Sequence, residues 1–167
     1  MTLKIVELRA QDRDRIAAHL LCLSERDRSL RFAAGVVPDE SIRSYVAGIR
    51  FGSDAVFGAE KSRGELIGLA HGCVYMTNGQ THIEAAFTTD ADWRRQGVGG
   101  ELMRAIEVFA GQRGAHRLVG MCLARNLPMR ALFEHAGMAL TREDDEMHAC
   151  RTLDQDRMEA ATYLKAA

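Results

Sequence analysis

Several features are scarce or absent in this 167-residue chain, and each absence excludes some classes of protein. No apolar run reaches the length that crosses a bilayer, and no basic-then-apolar leader opens the chain, so we expect a cytoplasmic protein. The net charge is also close to zero, at -1, because 22 basic side chains nearly balance 23 acidic ones. This balance gives no general attraction to nucleic acid or anionic lipid, so neither a nucleic-acid partner nor a membrane partner is expected.

Cysteine is also sparse. The widely separated cysteines, none of which forms a C-x-x-C pair, are Cys22, Cys73, Cys122 and Cys150. This spacing excludes the usual metal and disulfide frameworks and favours free thiols. What is present, 47% hydrophobic and 27% charged residues, is typical of a soluble domain. We expect one domain over residues 1–153 and a helical tail over 154–167, where Met158, Ala161 and Leu164 have helical spacing.

The most informative stretch runs from residue 83 to residue 105 and reads as a strand, a loop and a glycine-opened helix. Two arginines, Arg94 and Arg95, precede a run made of Gln96, Gly97, Val98, Gly99 and Gly100. Helix N-termini carry unpaired N–H groups and partial positive charge, and glycines let a ligand approach the backbone. The stretch therefore predicts a phosphate or pyrophosphate site, and the alternative is an ordinary glycine loop with solvated arginines.

Two better-known phosphate loops are excluded by what this loop lacks. No lysine follows its glycines, as a Walker loop requires, and the G-x-G-x-x-G run of a dinucleotide fingerprint is not completed.

Periodicity along the chain predicts the order strand, helices, three strands, helix, strand, helix and two strands. The predicted strands span 3–8, 55–60, 65–75, 83–89, 117–122, 138–142 and 147–153, and helices begin near 12, 24, 38, 99 and 126. Strands outnumber simple β-α alternations, which argues against a doubly wound sheet. The predicted fold class is mixed α/β (α+β), with a mixed sheet and helices on both faces.

Three segments carry a family resemblance. The pattern Arg94-x-x-Gly97-x-Gly99 after a strand resembles the acetyl-CoA loop of the GNAT N-acetyltransferases. Residues 126–138 resemble the second segment of that family, an asparagine followed by a helix and a glycine. Residues 24–32 resemble a segment of the bacterial protein-lysine acetyltransferases that walls the acceptor pocket, although a solvated helix face is the plain alternative. The resemblance implies a mostly antiparallel GNAT-like sheet.

The same resemblance implies acetyl-CoA as co-substrate, no metal, and an amine acceptor that is a protein lysine or a small molecule. It places the following residues on the coenzyme: Phe87, Thr88, Thr89, Arg94, Arg95, Gln96, Gly97, Val98, Gly99, Gly100, Asn126, Met129 and Phe133. Backbone N–H groups of Phe87 and Thr89 would serve the oxyanion, and Asn126 has the alternative role of a helix N-cap. The sequence leaves open whether the chain forms a homodimer.

Glu84 is the predicted catalytic base, because it matches the glutamate that many GNAT enzymes use to deprotonate the amine. Its apolar neighbours Ile83 and Ala85 predict a raised pKa, while a surface salt bridge is the alternative. Two histidines, His71 and His82, are rival bases, and His71 fits a packed core position better.

One residue departs from the family pattern. Phe133 stands where many GNAT enzymes have a tyrosine that protonates the leaving thiolate. The thiolate therefore leaves unprotonated, or takes a proton from water or from a serine or cysteine side chain, for which Cys122 is a candidate. We predict direct acetyl transfer in a ternary complex. The alternatives are a non-catalytic acyl-CoA-binding module and a nucleotide-phosphate protein that uses the same loop.

Overall fold

The computed structural model describes residues 3–61 and 64–153, so the predicted tail at 154–167 lies outside the described residues. In the described part, the strands are β1 (Lys4–Leu8), β2 (Ala55–Glu60), β3 (Leu66–Thr77), β4 (Gln80–Thr89), β5 (Arg117–Leu123), β6 (Ala139–Glu143) and β7 (Glu146–Thr152). They form one sheet in the order β1-β2-β3-β4-β5-β7-β6. All neighbouring strands are antiparallel except β4 and β5, which run parallel.

Helices cover both faces of this sheet. They are α1 (Arg13–Leu21), α2 (Glu25–Phe32), α3 (Asp39–Ala47), α4 (Val98–Gln112) and α5 (Leu127–His135), with short 3-10 turns at Ala10–Asp12 and Ala91–Trp93. One apolar cluster joins α1 and α3 to β2 and β3, and a second joins α4 and α5 to β3, β4 and β5. The predicted fold class and the predicted order of elements are confirmed, and the ends of the elements differ by at most three residues, the largest difference being the start of β4.

Local chemistry explains the central hairpin. The turn between β3 and β4 consists of Asn78 and Gly79, which both adopt positive φ angles, of 50° and 75°. Asparagine and glycine tolerate that conformation best, and a two-residue turn of this kind matches the twist of paired strands. The turn fixes the register of the long β3–β4 pair, from Thr77 opposite Gln80 to Gly68 opposite Thr89.

The sheet splits between its two parallel strands. β4 pairs with β5 only from His82 opposite Arg117 to Glu84 opposite Val119. Beyond these pairs β4 continues along β3, whereas β5 continues along β7, so the two strands separate toward their C-terminal ends. A gap therefore opens inside the sheet.

An aromatic ring and a glycine fill the base of this gap. A Cβ atom at Gly120 would lie 2.6 Å from Cζ of Phe133 and 3.3 Å from the carbonyl oxygen of Ala85. The Phe133 side chain is fully buried, so the ring can seat against β5 only because position 120 has no side chain.

We therefore expect Gly120→Ala to lower the free energy of unfolding by about 1–3 kcal/mol, since the new methyl group overlaps the Phe133 ring. Adding Phe133→Leu to that variant should recover part of the loss, because a shorter side chain makes room. Gly35→Ala is the control, since a Cβ there meets nothing within 4 Å. Urea denaturation measures all three, and a Gly120→Ala protein as stable as the control would contradict this packing.

Candidate active site

A cleft occupies the gap between β4 and β5. The space between its walls, part of which is open to solvent, measures about 220 Å³. The side chains and backbone that line it come from α2, β4, β5 and α5: Leu30, Arg31, Ala85, Ala86, Phe87, Met121, Cys122, Asn126, Met129 and Phe133. Four residues that the sequence placed on the coenzyme, Phe87, Asn126, Met129 and Phe133, thus meet around one cleft.

The backbone of β4 directs hydrogen-bond donors into this gap. The N–H of Asp90 donates to the carbonyl of Ile67 on β3 at 2.9 Å, whereas the Ala85 carbonyl faces β5. Backbone groups alternate in direction along a strand, so the N–H groups of Phe87 and Thr89 face the same side as Ala85. Among the strands that the structure describes, none pairs these N–H groups, as the sequence-based prediction for Phe87 and Thr89 requires.

Thr88 has a different environment from its neighbours. Its hydroxyl lies 2.8 Å from Nε2 of His19 on α1, and its side chain is buried on the opposite side from Phe87. Nδ1 of His19 lies 3.4 Å from the Asp90 carboxylate. Burial lowers the pKa of His19 despite that carboxylate, and burial raises the pKa of Asp90. Thr88 thus ties α1 to the end of β4 and is not among the cleft residues.

The loop between β4 and α4 is exposed and glycine-rich. Gly97 has a φ of 85° and caps α4, and Arg95 also has a positive φ, of 61°. Within the described chain, the backbone N–H groups of residues 96–100 donate no hydrogen bond of ordinary geometry, and the first such donor is Glu101, to the Gly97 carbonyl. These unpaired N–H groups at a helix N-terminus fit an anionic group.

Two further contacts define the loop's surroundings. Arg94 forms an ion pair of 2.7 Å with Asp27 on α2, so it fastens the loop to a helix that lines the cleft. A Cβ at Gly99 would lie 3.6 Å from the methyl groups of Leu132, so the start of α4 packs against α5. The loop and the cleft therefore share two helices, and the geometry fits an extended ligand with an anionic end.

Glu84 lies where the split begins. It is the last residue of β4 that pairs with β5, and its side chain is exposed on the face of the sheet that α2 covers. The side chain of Glu84 is exposed to solvent, whereas its apolar sequence neighbours indicated apolar surroundings. Its role as a base stays a prediction.

The rival base His82 belongs to an aromatic cluster. It is buried, stacks on Tyr75 with ring centroids 5.3 Å apart, and meets His116 edge-on. Its position in the paired region, before the split, separates it from the cleft residues.

His71 is a buried histidine, but it is part of a polar chain that the sequence did not reveal. The guanidinium of Arg31 donates to the Tyr45 hydroxyl at 2.6 Å, and that hydroxyl lies 2.6 Å from Nδ1 of His71. On the other side of the ring, Nε2 lies 3.6 Å from Asp54. Tyr45 and His71 are 26 positions apart, so no local sequence signal identifies this series of polar contacts.

Burial is the main influence on the protonation state of His71 in this series of polar contacts. Burial lowers the pKa of His71, and the charge of Arg31 lowers it further, against the opposite pull of Asp54. Burial alone would raise the pKa of Asp54, but hydrogen bonds from the N–H of Val74 and from Arg50 hold it below its usual value. We therefore assign a neutral His71 with its proton on Nε2, facing Asp54, so that Nδ1 accepts from Tyr45.

The residues from α5 combine structural and cleft-facing positions. The side-chain oxygen of Asn126 accepts a 3.3 Å hydrogen bond from the N–H of Met129, so the N-cap role exists without any ligand. Both residues also line the cleft. The described residues, 3–61 and 64–153, contain no group of three His, Cys, Asp or Glu side chains that could hold a metal ion. Within the same residues, no helix is long and apolar enough to cross a bilayer.

With this geometry in place, similarity to known proteins identifies the class. The chain matches the acetyltransferase (GNAT) family over residues 12–138 and therefore belongs to that family. The predicted family and the predicted enzyme class, a GNAT-type acyltransferase, are thereby confirmed. Acetyltransferase Pat of Mycolicibacterium smegmatis is 36% identical over 64 residues, which make up 38% of this chain and 19% of that protein.

Solved structures share the fold at low identity. The GNAT domain of PAT from S. lividans superimposes with a TM-score of 0.77 at 20% identity, covering 92% of each chain. A GNAT superfamily phosphinothricin acetyltransferase from Sinorhizobium meliloti, in complex with acetyl-CoA, gives a TM-score of 0.73 at 17% identity, covering 93% of this chain and 90% of that one. At these identities the likeness establishes the fold alone.

Gly100→Glu tests the loop as an anion site. A Cβ there meets nothing within 4 Å, and an acidic side chain in the first turn of α4 complements the helix dipole, so thermal stability should not fall. Affinity for acetyl-CoA should fall at least about 10-fold, because the carboxylate competes with the diphosphate for the same N–H groups. Isothermal calorimetry measures it, with Gly35→Glu as control. Unchanged affinity in Gly100→Glu would contradict a diphosphate site at this helix end.

Stability should decrease as the pH falls from about 7 to 5. Burial lowers the pKa of His19 and His71 in the folded protein, whereas an unfolded histidine titrates near 6.5. The unfolded state therefore binds more protons in this range, and the stabilisation present above about pH 6.5 is lost on acidification, by at most about 1.4 kcal/mol per pH unit for each histidine.

Comparing the pH dependence of variants isolates this contribution. His71→Gln should flatten the decrease in unfolding free energy, and His148→Gln, at a half-buried position whose side chain reaches solvent, should not. Asp90, whose raised pKa acts in the opposite sense, is common to all three proteins and cancels. Urea unfolding at several pH values measures the slopes, and parallel slopes for parent and His71→Gln would refute the neutral buried histidine.

Proposed function

We propose that this protein transfers the acetyl group of acetyl-CoA to a primary amine by direct attack within a ternary complex. The observation that carries the proposal is the split between β4 and β5, with Glu84 at its closed end and the open N-terminus of α4 beyond its open end. The split supplies unpaired N–H groups, and the helix end supplies a place for a diphosphate.

The residues present fit coenzyme A. The diphosphate would lie against the N–H groups of residues 96–100, with Arg95 nearby as an added positive charge. The pantetheine arm carries amide groups, which suit the unpaired backbone of β4 in the way that an added strand would. Apolar cleft walls from Met129 and Phe133 would enclose the thioester and exclude water around it.

Each step has an assigned group. Glu84 accepts a proton from the ammonium form of the acceptor, directly or through a water, and leaves a neutral nitrogen with a free electron pair. That nitrogen attacks the thioester carbon, and the oxyanion that forms accepts a hydrogen bond from the N–H of Phe87. The carbon–sulfur bond then breaks, the nitrogen releases its second proton to solvent water because Glu84 already holds the first, and the amide product and thiolate form.

The thiolate leaves without a protein acid in this proposal. Phe133 carries no proton to give. Burial raises the pKa of Cys122, and proton transfer from such a thiol to a thiolate of ordinary pKa, near 8.5, is unfavourable. Solvent is therefore the proton source, and a thiolate of that pKa is a tolerable leaving group near neutral pH.

Glu84→Gln tests the assigned base. The variant keeps the shape of the side chain but cannot accept the proton, so kcat should fall about 100-fold or more while acetyl-CoA affinity stays within a factor of about two. Acetyl-CoA turnover with peptide and small-amine panels, and calorimetry with acetyl-CoA, measure the two quantities. Glu40→Gln, an exposed substitution on α3, is the matched control.

Two results would redirect the proposal. Full turnover in Glu84→Gln would remove the glutamate from the mechanism. Tight acetyl-CoA binding by the parent without turnover on any amine would favour a non-catalytic acyl-CoA-binding module instead.

A further inference from the structure

Arg31 brings an uncompensated positive charge to the cleft. It lines the cleft beside β4 and β5, and no carboxylate lies within ion-pair distance of it in residues 3–61 and 64–153. Asp27, one turn earlier on α2, is paired with Arg94. Asp54, at the far end of the polar chain, is paired with Arg50 at 2.8 Å.

The guanidinium of Arg31 is held in a defined position. It lies over the rings of Phe32 and Tyr45, at 4.9 and 5.1 Å from their centroids. One N–H donates to the Tyr45 hydroxyl, which is held in turn by His71. Guanidinium has five N–H donors, and this single hydrogen bond leaves a fork that matches a carboxylate in shape and charge.

The position of His71 places this fork near the reacting atoms. His71 on β3 lies directly opposite Ala86 on β4, and Ala86 lines the cleft. Both side chains lie on the face of the sheet that also carries Glu84, two residues earlier along β4. A cation and an anion, Arg31 and Glu84, therefore lie on the same side of the split.

We propose that Arg31 binds the carboxylate of the acceptor, so that the acceptor is a small primary amine with a nearby carboxylate, that is, an amino acid. This inference rests on the proposed acetyl transfer and specifies its substrate class. The ammonium group of such a zwitterion is directed to Glu84 while its carboxylate pairs with Arg31. An isolated lysine side chain brings only a cation to this cleft and leaves the guanidinium without a partner.

Matched acceptor pairs test the substrate class directly. The probes are L-glutamate, L-methionine, L-phenylalanine and L-serine, each beside its own α-carboxamide, with a neutral lysine peptide as a further acceptor. Rates are compared as kcat/KM per free amine, because the carboxamide changes the pKa of the amine. We expect at least one acid to exceed its amide by about 10- to 100-fold, the range that a charged hydrogen-bonded pair supplies.

Arg31→Gln assigns the preference to this side chain. The variant should lose about 10- to 100-fold in kcat/KM for the acid, mainly through KM, and less than about threefold for its amide. Arg31→Lys keeps the charge and should retain part of the preference. Arg26→Gln, exposed on the same helix, is the control and should match the parent. Tyr45→Phe should raise KM for the acid and leave kcat nearly unchanged, since it loosens the guanidinium without removing it.

The outcomes separate this inference from the proposed function. Turnover of amides or of the lysine peptide, with no acid preferred, would overturn the carboxylate site and leave acetyl transfer intact. Equal losses for acid and amide in Arg31→Gln would also overturn it, because they would indicate a role with the oxyanion instead. A parent protein that consumes no acetyl-CoA with any acceptor would refute the proposed function itself, and the substrate class with it.

Discussion

The structure depends on one incomplete strand pairing. β4 and β5 run parallel but pair only as far as Glu84 and Val119, and then each follows its outer neighbour. Backbone N–H and C=O groups inside a protein need partners, so such a split persists only where something other than a strand can satisfy them. The Phe133 ring, seated over Gly120, fills the base of the gap, and the rest stays open to a ligand.

Helix α2 contacts both the cleft and the glycine-rich loop that precedes α4. At eight residues it is too short to be stable alone, so contacts at its ends fix its place. Ser24 caps it, and the largely buried Arg28 guanidinium donates to the Leu21 carbonyl at 2.5 Å and to Asp39 at 2.6 Å. From this position, Asp27 pairs with Arg94 in the glycine-rich loop between β4 and α4, and Arg31 lines the cleft. One short helix therefore carries both a side chain that holds this loop and a charged side chain that lines the cleft.

The sequence predicts those features of the structure that depend on adjacent residues, but not those that depend on contacts between residues far apart in the chain. The glycine loop that opens α4 and the Asn126 cap each depend on a few adjacent residues, and the sequence predicts both. Three other features depend on which strands and helices become neighbours in space: the pairing of β5 with β7, the burial of Thr88 against His19 of α1, and the contact between Tyr45 and His71. Tyr45 and His71 are 26 positions apart and are in contact because α3 packs on β3. The periodicity of apolar residues along the sequence does not predict such a contact.

The departure at position 133 has a steric cause in this fold. Cζ of Phe133 is the ring atom nearest to the Cβ position at Gly120, at 2.6 Å, and it is the atom that would bear the hydroxyl of a tyrosine. The ring therefore points its para carbon at the backbone of β5 and leaves no room there for an oxygen. A phenolic acid cannot occupy this pose, so a ring that seats in the base of the gap cannot also protonate the leaving sulfur. The side chain at position 133 fills the split, and in the proposed reaction the departure of the thiolate therefore depends on its own low basicity.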